Sequence, residues 1–178
     1  DRSLSGNLRV QPLQVALDEQ TNIDFSGLEI DFDSSANVEK ISANGVMDSF
    51  KLTSTLSTDE SMRLEFKGMD LTSNTRKGIS DFYLGQNEVR LQQIELQIGE
   101  SAPILFKDFV QRDETSEANQ QLSARYSYDI GMISYQGNDI GSSQMLWTLK
   151  NLDAAALQSM IELYGTLLQS GKVDSESG

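Results

Sequence analysis

Asp24, Glu29, Asp31 and Asp33 form the richest acidic stretch of the chain. Carboxylates this closely spaced serve two kinds of chemistry: they ligate a hard cation such as calcium, or they act as an acid and base pair on a glycosidic bond. Measured against a calcium loop starting at Asp31, the sixth position is Ala36 where the sharp turn needs Gly. The twelfth is Ser42 where a bidentate Glu belongs. The template fails. Alternation with Ile30 and Phe32 instead puts Asp31 and Asp33 on the wet side of a strand. Carboxylate pairs for hydrolysis are set by the fold, and an acid-rich chain always offers them, so they carry little weight for an enzyme.

The wider inventory is short. The chain has no histidine and no cysteine, which removes imidazole bases, thiolate nucleophiles, disulfides, classical triads and most zinc sites together. It also lacks a G-x-S-x-G elbow, a phosphate-binding Gly-rich loop and an S-x-x-K pair. The expectation is a non-enzymatic protein with no catalytic residue, no cofactor and no metal. A formal charge of −13 spread along 178 residues repels phosphate backbones, so nucleic acid is not an expected partner. Arg76-Lys77, the strongest basic cluster, reads as a turn pair. Absence of cysteine is compatible with an oxidising compartment. The chain opens at Asp1 rather than at methionine, which is compatible with a leader or anchor preceding it.

With so little chemistry, the elements themselves carry the reading. In "FSGLEIDF", residues 25–32, Ile23 and Phe25 put apolar side chains on odd positions. After Gly27 they resume on even positions at Leu28, Ile30 and Phe32. The same change of step occurs after Phe66-Lys67-Gly68, Phe106-Lys107-Asp108 and Leu149-Lys150-Asn151, at spacings of 41, 40 and 43 residues. This reads as an internal repeat. Its third position is Gly, Gly, Asp and Asn, the types that best tolerate a positive φ. Gly27, Gly68, Asp108 and Asn151 are therefore expected to be β-bulges that kink the strand and return its apolar side chains to one face.

Between the faults, strands alternate, as in Leu122, Ala124, Tyr126, Tyr128, Ile130 and Met132 against Arg125, Ser127 and Asp129. Turns are expected at Asp33-Ser34-Ser35, Asn44-Gly45, Ser73-Asn74-Thr75, Gly85-Gln86-Asn87, Asp113-Glu114-Thr115 and Gln136-Gly137-Asn138. Connections so short favour antiparallel neighbours. Trp147, in step with Met145 and Leu149, reads as core. Asp153 is a helix N-cap, Leu157, Met160, Ile161, Tyr164, Leu167 and Leu168 follow helical spacing, and Gly171 stops the helix.

The expected fold is thus mainly β: a curved antiparallel meander built from repeats of about 41 residues, with one C-terminal amphipathic helix packed on it. Residues 1–171 form a single β-rich domain, long enough for a real core, with the helix at about 153–170. Residues 172–178 are a disordered tail.

The aromatic, any residue, Gly, apolar pattern, closing on "LWTLKNLDAAALQSMIELYG", resembles the YdgA-like family of bacterial envelope proteins of unknown function, over about residues 20 to 170. The resemblance implies a periplasmic chain, tethered to the inner membrane by an N-terminal anchor, that is part of a longer parent. The family pattern has Gly where this chain has Asp108 and Asn151.

One helix of about 17 residues covers a strip roughly 10 Å by 25 Å, whereas eight strands make a sheet nearly 40 Å wide. The uncovered apolar face must be closed by the sheet curling, by the rest of the parent chain, by a second copy or other protein partner, or by an apolar ligand. Two roles follow. One is a structural or protein-interaction role in the cell envelope. The other is a lipid carrier holding an acyl chain in the concave face.

Overall fold

The structure, a computed structural model, describes residues 3–57 and 60–169. Ten strands form one antiparallel sheet: β1 (Ser3–Val10), β2 (Leu13–Ala16), β3 (Thr21–Phe25), β4 (Leu28–Ser35), β5 (Lys40–Ser57), β6 (Glu60–Lys77), β7 (Tyr83–Ile98), β8 (Ile104–Ala118), β9 (Gln121–Tyr135) and β10 (Asn138–Asp153). One helix, α1 (Ala154–Gln169), follows. From β4 to β10 each strand pairs with the next in sequence. β5 is long enough to pair with β4 along its first half and with β3 along its second, while β1 and β2 finish that side.

Strands β5 to β10 run 15 to 18 residues, longer than the expected turns allow. Asn44-Gly45, Ser73-Asn74-Thr75, Gly85-Gln86-Asn87 and Asp113-Glu114-Thr115 all lie inside strands. Polar side chains there bond across the ladder instead of closing turns: Ser73 Oγ donates to Asn87 Oδ1 at 2.6 Å, and Asn87 Nδ2 donates to Asp113 Oδ2 at 2.7 Å. At two of the reversals, β8 to β9 and β9 to β10, two adjacent residues take positive φ. These are Gln136 and Gly137 (52° and 77°), as expected, and Asn119 and Gln120 (53° and 61°), the backbone of two-residue hairpins.

Gly27, Gly68, Asp108 and Asn151 have φ of 99°, 60°, 54° and 58°. Their pairing separates them. At Asn151 the ladder shifts, with Lys150 and Asn151 set against Ser123 alone. At Gly68 no extra residue appears: Lys67 pairs with Gln93 and Met69 with Leu91, so Gly68 stands opposite Gln92 in an unbroken register. Asp108 likewise stands opposite Gln92 on one side and Gly131 on the other. Gly27 faces Asp48, and Asp48 faces Gly68. Gly27, Asp48, Gly68, Gln92, Asp108 and Gly131 therefore form one transverse row, with the left-handed residue on every second strand. Both partners step out of the ladder together, so the change of face costs no register. Asn151 is outside this row, near the far end of β10.

A packed core is not what this arrangement produces. Among the described residues the buried apolar side chains are Leu84, Leu122 and Ala154, joined by half-buried Phe82 and Leu157 at one end of the sheet. The accessible surface is 12524 Å², against about 8,600 Å² expected of a compact folded monomer of this mass. The helix begins as expected, with Asp153 Oδ1 accepting from the Ala156 amide at 2.8 Å. Among the described side chains its packing on the sheet is confined to the first turn. Ala154 is 1% exposed, whereas Met160, Ile161, Leu163 and Tyr164 stand open. Gly171 and residues 172–178 lie outside the described residues.

Candidate binding face of the sheet

The apolar side chains meet in cross-strand rows. On one side of the crease Phe25 pairs with Phe50, Phe50 with Phe66, Phe66 with Ile94, Ile94 with Phe106 and Phe106 with Ile133. The rings of Phe25 and Phe50 lie 6.4 Å apart and those of Phe50 and Phe66 6.0 Å, within the range of favourable aromatic contact. Across the crease the row is Met47, Met69, Leu91, Phe109 and Ile130. These residues are half-buried, because each is shielded by its neighbours in the sheet and by no second layer. At the β10 end, Met145, Trp147 and Leu149 are more exposed still. Trp147 is 57% exposed, its ring 6.2 Å from that of Tyr128. Sequence alternation places it in step with apolar neighbours, but an edge strand of a single-layer sheet has nothing to bury it against.

The other face is a lattice of ion pairs. Arg63 lies 2.5 Å from Glu65 and Lys67 lies 3.3 Å from it, and Glu65 is 9% exposed. Burial alone pushes the Glu65 carboxyl up, but hydrogen bonds from Arg63 and Lys67 outweigh it and hold the group below its ordinary value. Glu88 accepts from Arg90 and Arg112, each at 2.6 Å, and Arg112 also reaches Asp129 at 3.1 Å. Its carboxyl is held low, chiefly by the Arg90 hydrogen bond. Away from this lattice, at the end of β8 and opposite Leu122, Glu117 receives the Ser80 hydroxyl and the Ile79 and Ser80 amides, which hold it low too. Asp18 is lowered by the Gln20 amide first and by Thr21. All four shifts run opposite to what a general acid at neutral pH needs. Among the described residues no three metal-ligating side chains converge, and no helix is long and apolar enough to cross a membrane.

Two hollows open on this polar side. One of about 790 Å³ is lined from β1 to β8 by Asp33, Lys40, Asn74, Arg76, Glu114 and Glu117 among others. One of about 630 Å³ spans β6 to β10 and includes Thr72, Glu88, Arg112, Asp129 and Gln144. Polar residues predominate in both linings, with Ile41 and Leu84 in the first and Leu146 in the second, while the phenylalanine rows project from the opposite face of the same strands.

Residues 1–177 match a family described as bacterial protein of unknown function, DUF945. The chain belongs to this family. No curated protein and no solved structure matches it. In this DUF945 chain the apolar rows run from Leu64 to Leu71 along β6, about 27 Å by 34 Å or roughly 900 Å², beyond which the same face turns polar at Ser73, Asn87 and Asp113; nothing in the described residues covers these rows. Of the residues singled out in the sequence, Gly27, Gly68 and Asp108 join in the crease that keeps this face continuous. Their partners Asp48, Gln92 and Gly131 complete it. The parity change between Leu91 and Ile94 was the signal for Gln92 in this DUF945 chain, and the steps from Met47 to Phe50 and from Ile130 to Ile133 mark Asp48 and Gly131 in the same way, masked in sequence by the neighbouring apolar Val46 and Met132.

Proposed function

We propose that this chain is a non-enzymatic part of the bacterial cell envelope, periplasmic and tethered through a longer parent chain, whose apolar sheet face is a protein-contact surface. The observation that carries the reading is the uncovered apolar face. Monomeric proteins rarely expose contiguous apolar patches beyond about 300–600 Å², and a stable interface needs about 800 Å² from each partner. The face is large enough for such a contact, and Phe and Met, enriched at interface centres, line it. Membership of a bacterial family supports the setting. A cysteine-free sequence supports an oxidising compartment.

The carrier reading draws on the same apolar side chains. It is weakened by where the hollows lie: both are lined mainly by Ser, Asn, Gln, Glu and Arg, and an open face contacts an acyl chain on one side only, short of the 70–90% burial of a typical ligand. Native mass spectrometry of the purified chain, with lipid extraction of the same sample, separates the two. The contact reading expects lipid-free protein that binds a hydrophobic dye, with dye binding reduced by Leu91→Lys or Phe109→Lys. Co-purifying lipid in stoichiometric amount, or a lipid-free monomer that binds no dye, would defeat it.

A further inference from the structure

The sheet has two sides, and they end differently. On the N-terminal side the edge is divided between β1, eight residues carrying Arg9, and β2, four residues that follow Pro12. Short strands, charge and proline are the usual means of blunting an edge. On the C-terminal side the edge is β10 alone. It is 16 residues long and exposed at every position. Irregularities mark its two ends, around Gly141 and at Lys150 and Asn151, but from Ser143 to Leu149 the pairing with β9 is regular. That segment presents an ordered row of outward backbone donors and acceptors with no strand partner among the described residues.

Its side chains are as unusual as its backbone. In a molecule of charge −13, the ten residues Ile140 to Leu149 carry no charge, so this is where two copies can approach with least repulsion. The stretch is bounded by Asp139 at one end and Lys150 at the other, and among the described residues neither joins an ion pair. Turning one edge by 180° about an axis normal to the sheet brings the Asp139 end of each strand beside the Lys150 end of the other. The same rotation leaves the apolar faces on one side. Such self-complementarity fits another copy better than an unrelated strand.

We propose that β10 is the edge along which two copies of this chain pair, antiparallel and about a twofold axis, to make one continuous sheet. This stands on the edge and is independent of what covers the face. The test uses the natural absence of cysteine: single replacements Ser143→Cys, Met145→Cys, Trp147→Cys and Leu149→Cys, with Ser5→Cys on β1 as control, are oxidised at dilute concentration and read on a non-reducing gel. A twofold edge contact gives a cross-linked dimer whose yield peaks within Ser143–Leu149 and falls to either side, with none from Ser5→Cys. In sedimentation, Lys150→Glu weakens dimerisation by about tenfold at low salt, and Asp139→Lys added to it restores most of the loss. A monomer at about 100 µM, equal yields at all positions, or cross-linking from Ser5→Cys would overturn the proposal. Circular dichroism of each variant shows that a lost dimer is not a lost fold.

Discussion

Gly68 faces Gln92 across the β6–β7 ladder so closely that a Cβ on Gly68 would meet Gln92 Cγ at 2.6 Å. With φ of 60° at Gly68, two separate constraints converge on the middle of the crease, one from the backbone and one from the side chain opposite. Gly68→Ala is expected to destabilise the fold by about 1–3 kcal/mol, combining the left-handed conformation with the overlap. Gln92 is flexible, so adding Gln92→Ala removes the overlap alone. Urea unfolding of the two single variants and the double should recover part of the loss and leave the conformational part. Full recovery, or none, would contradict the account.

Val38 is at fault in the opposite sense. It sits at φ 58° in the turn between β4 and β5, where a β-branched residue is strained. Its amide donates to Ser35 O at 2.8 Å, and its own carbonyl accepts from the Tyr83 hydroxyl at 2.8 Å. Both bonds use the backbone, so Val38→Asn keeps them. The variant is expected to be more stable by about 0.5–1 kcal/mol, read as a higher urea midpoint. An unchanged or lower midpoint would show that the turn stores no strain.

Glu65 sets a pH dependence whose sign follows from its lowered pKa. A carboxyl depressed in the folded state adds stability above the unfolded value, about 4.3, and that stability is lost as pH falls through the lower folded value. Glu88 adds to the same trend. Stability should be flat from pH 7 to about 5 and fall below about 4.3. Glu65→Gln should cost about 1–2 kcal/mol at pH 7 and make the fall shallower. Parallel curves for the two proteins would mean that the Arg63 and Lys67 contacts contribute nothing.

Asp153 caps a helix whose described contacts with the buried cluster at the sheet end are made by Ala154 and Leu157. Asp153→Ala should therefore lower helix content and raise amide exchange in residues 154–169, by an amount equivalent to about 1 kcal/mol of helix stability, while the exchange of β5–β9 stays as it was. Equal acceleration in the strands would mean that the helix is part of the sheet's cooperative unit.

The four positions at which the apolar step changes illustrate how far a sequence can be read. A residue that tolerates positive φ, followed by a reversal of parity, is a local signal, and all four do have positive φ. Whether the ladder gains a residue there depends on the strand opposite. Gly68 and Gln92 leave the ladder together, Asn151 leaves with Lys150 against Ser123, and no property of residues 68 or 151 alone distinguishes the cases. Ser73-Asn74-Thr75 and Asp113-Glu114-Thr115 have turn composition, yet cross-strand partners such as Asn87 give their side chains a better use.

Local periodicity alone determined which side of each strand is apolar, that neighbours run antiparallel, and where the helix begins, because those properties depend on residues within one or two turns of chain. Tertiary structure decided that the changes of step from β3 to β9 fall in a single transverse row and that the long strands run through their apparent turns. It also decided that Trp147 lies on an open edge and that α1 stands away from the face it matches. Register between distant strands and the presence or absence of a covering layer are relations among many segments. Hydrophobic patterning specifies which face wants cover, and only the assembled sheet shows that nothing in the described chain supplies it.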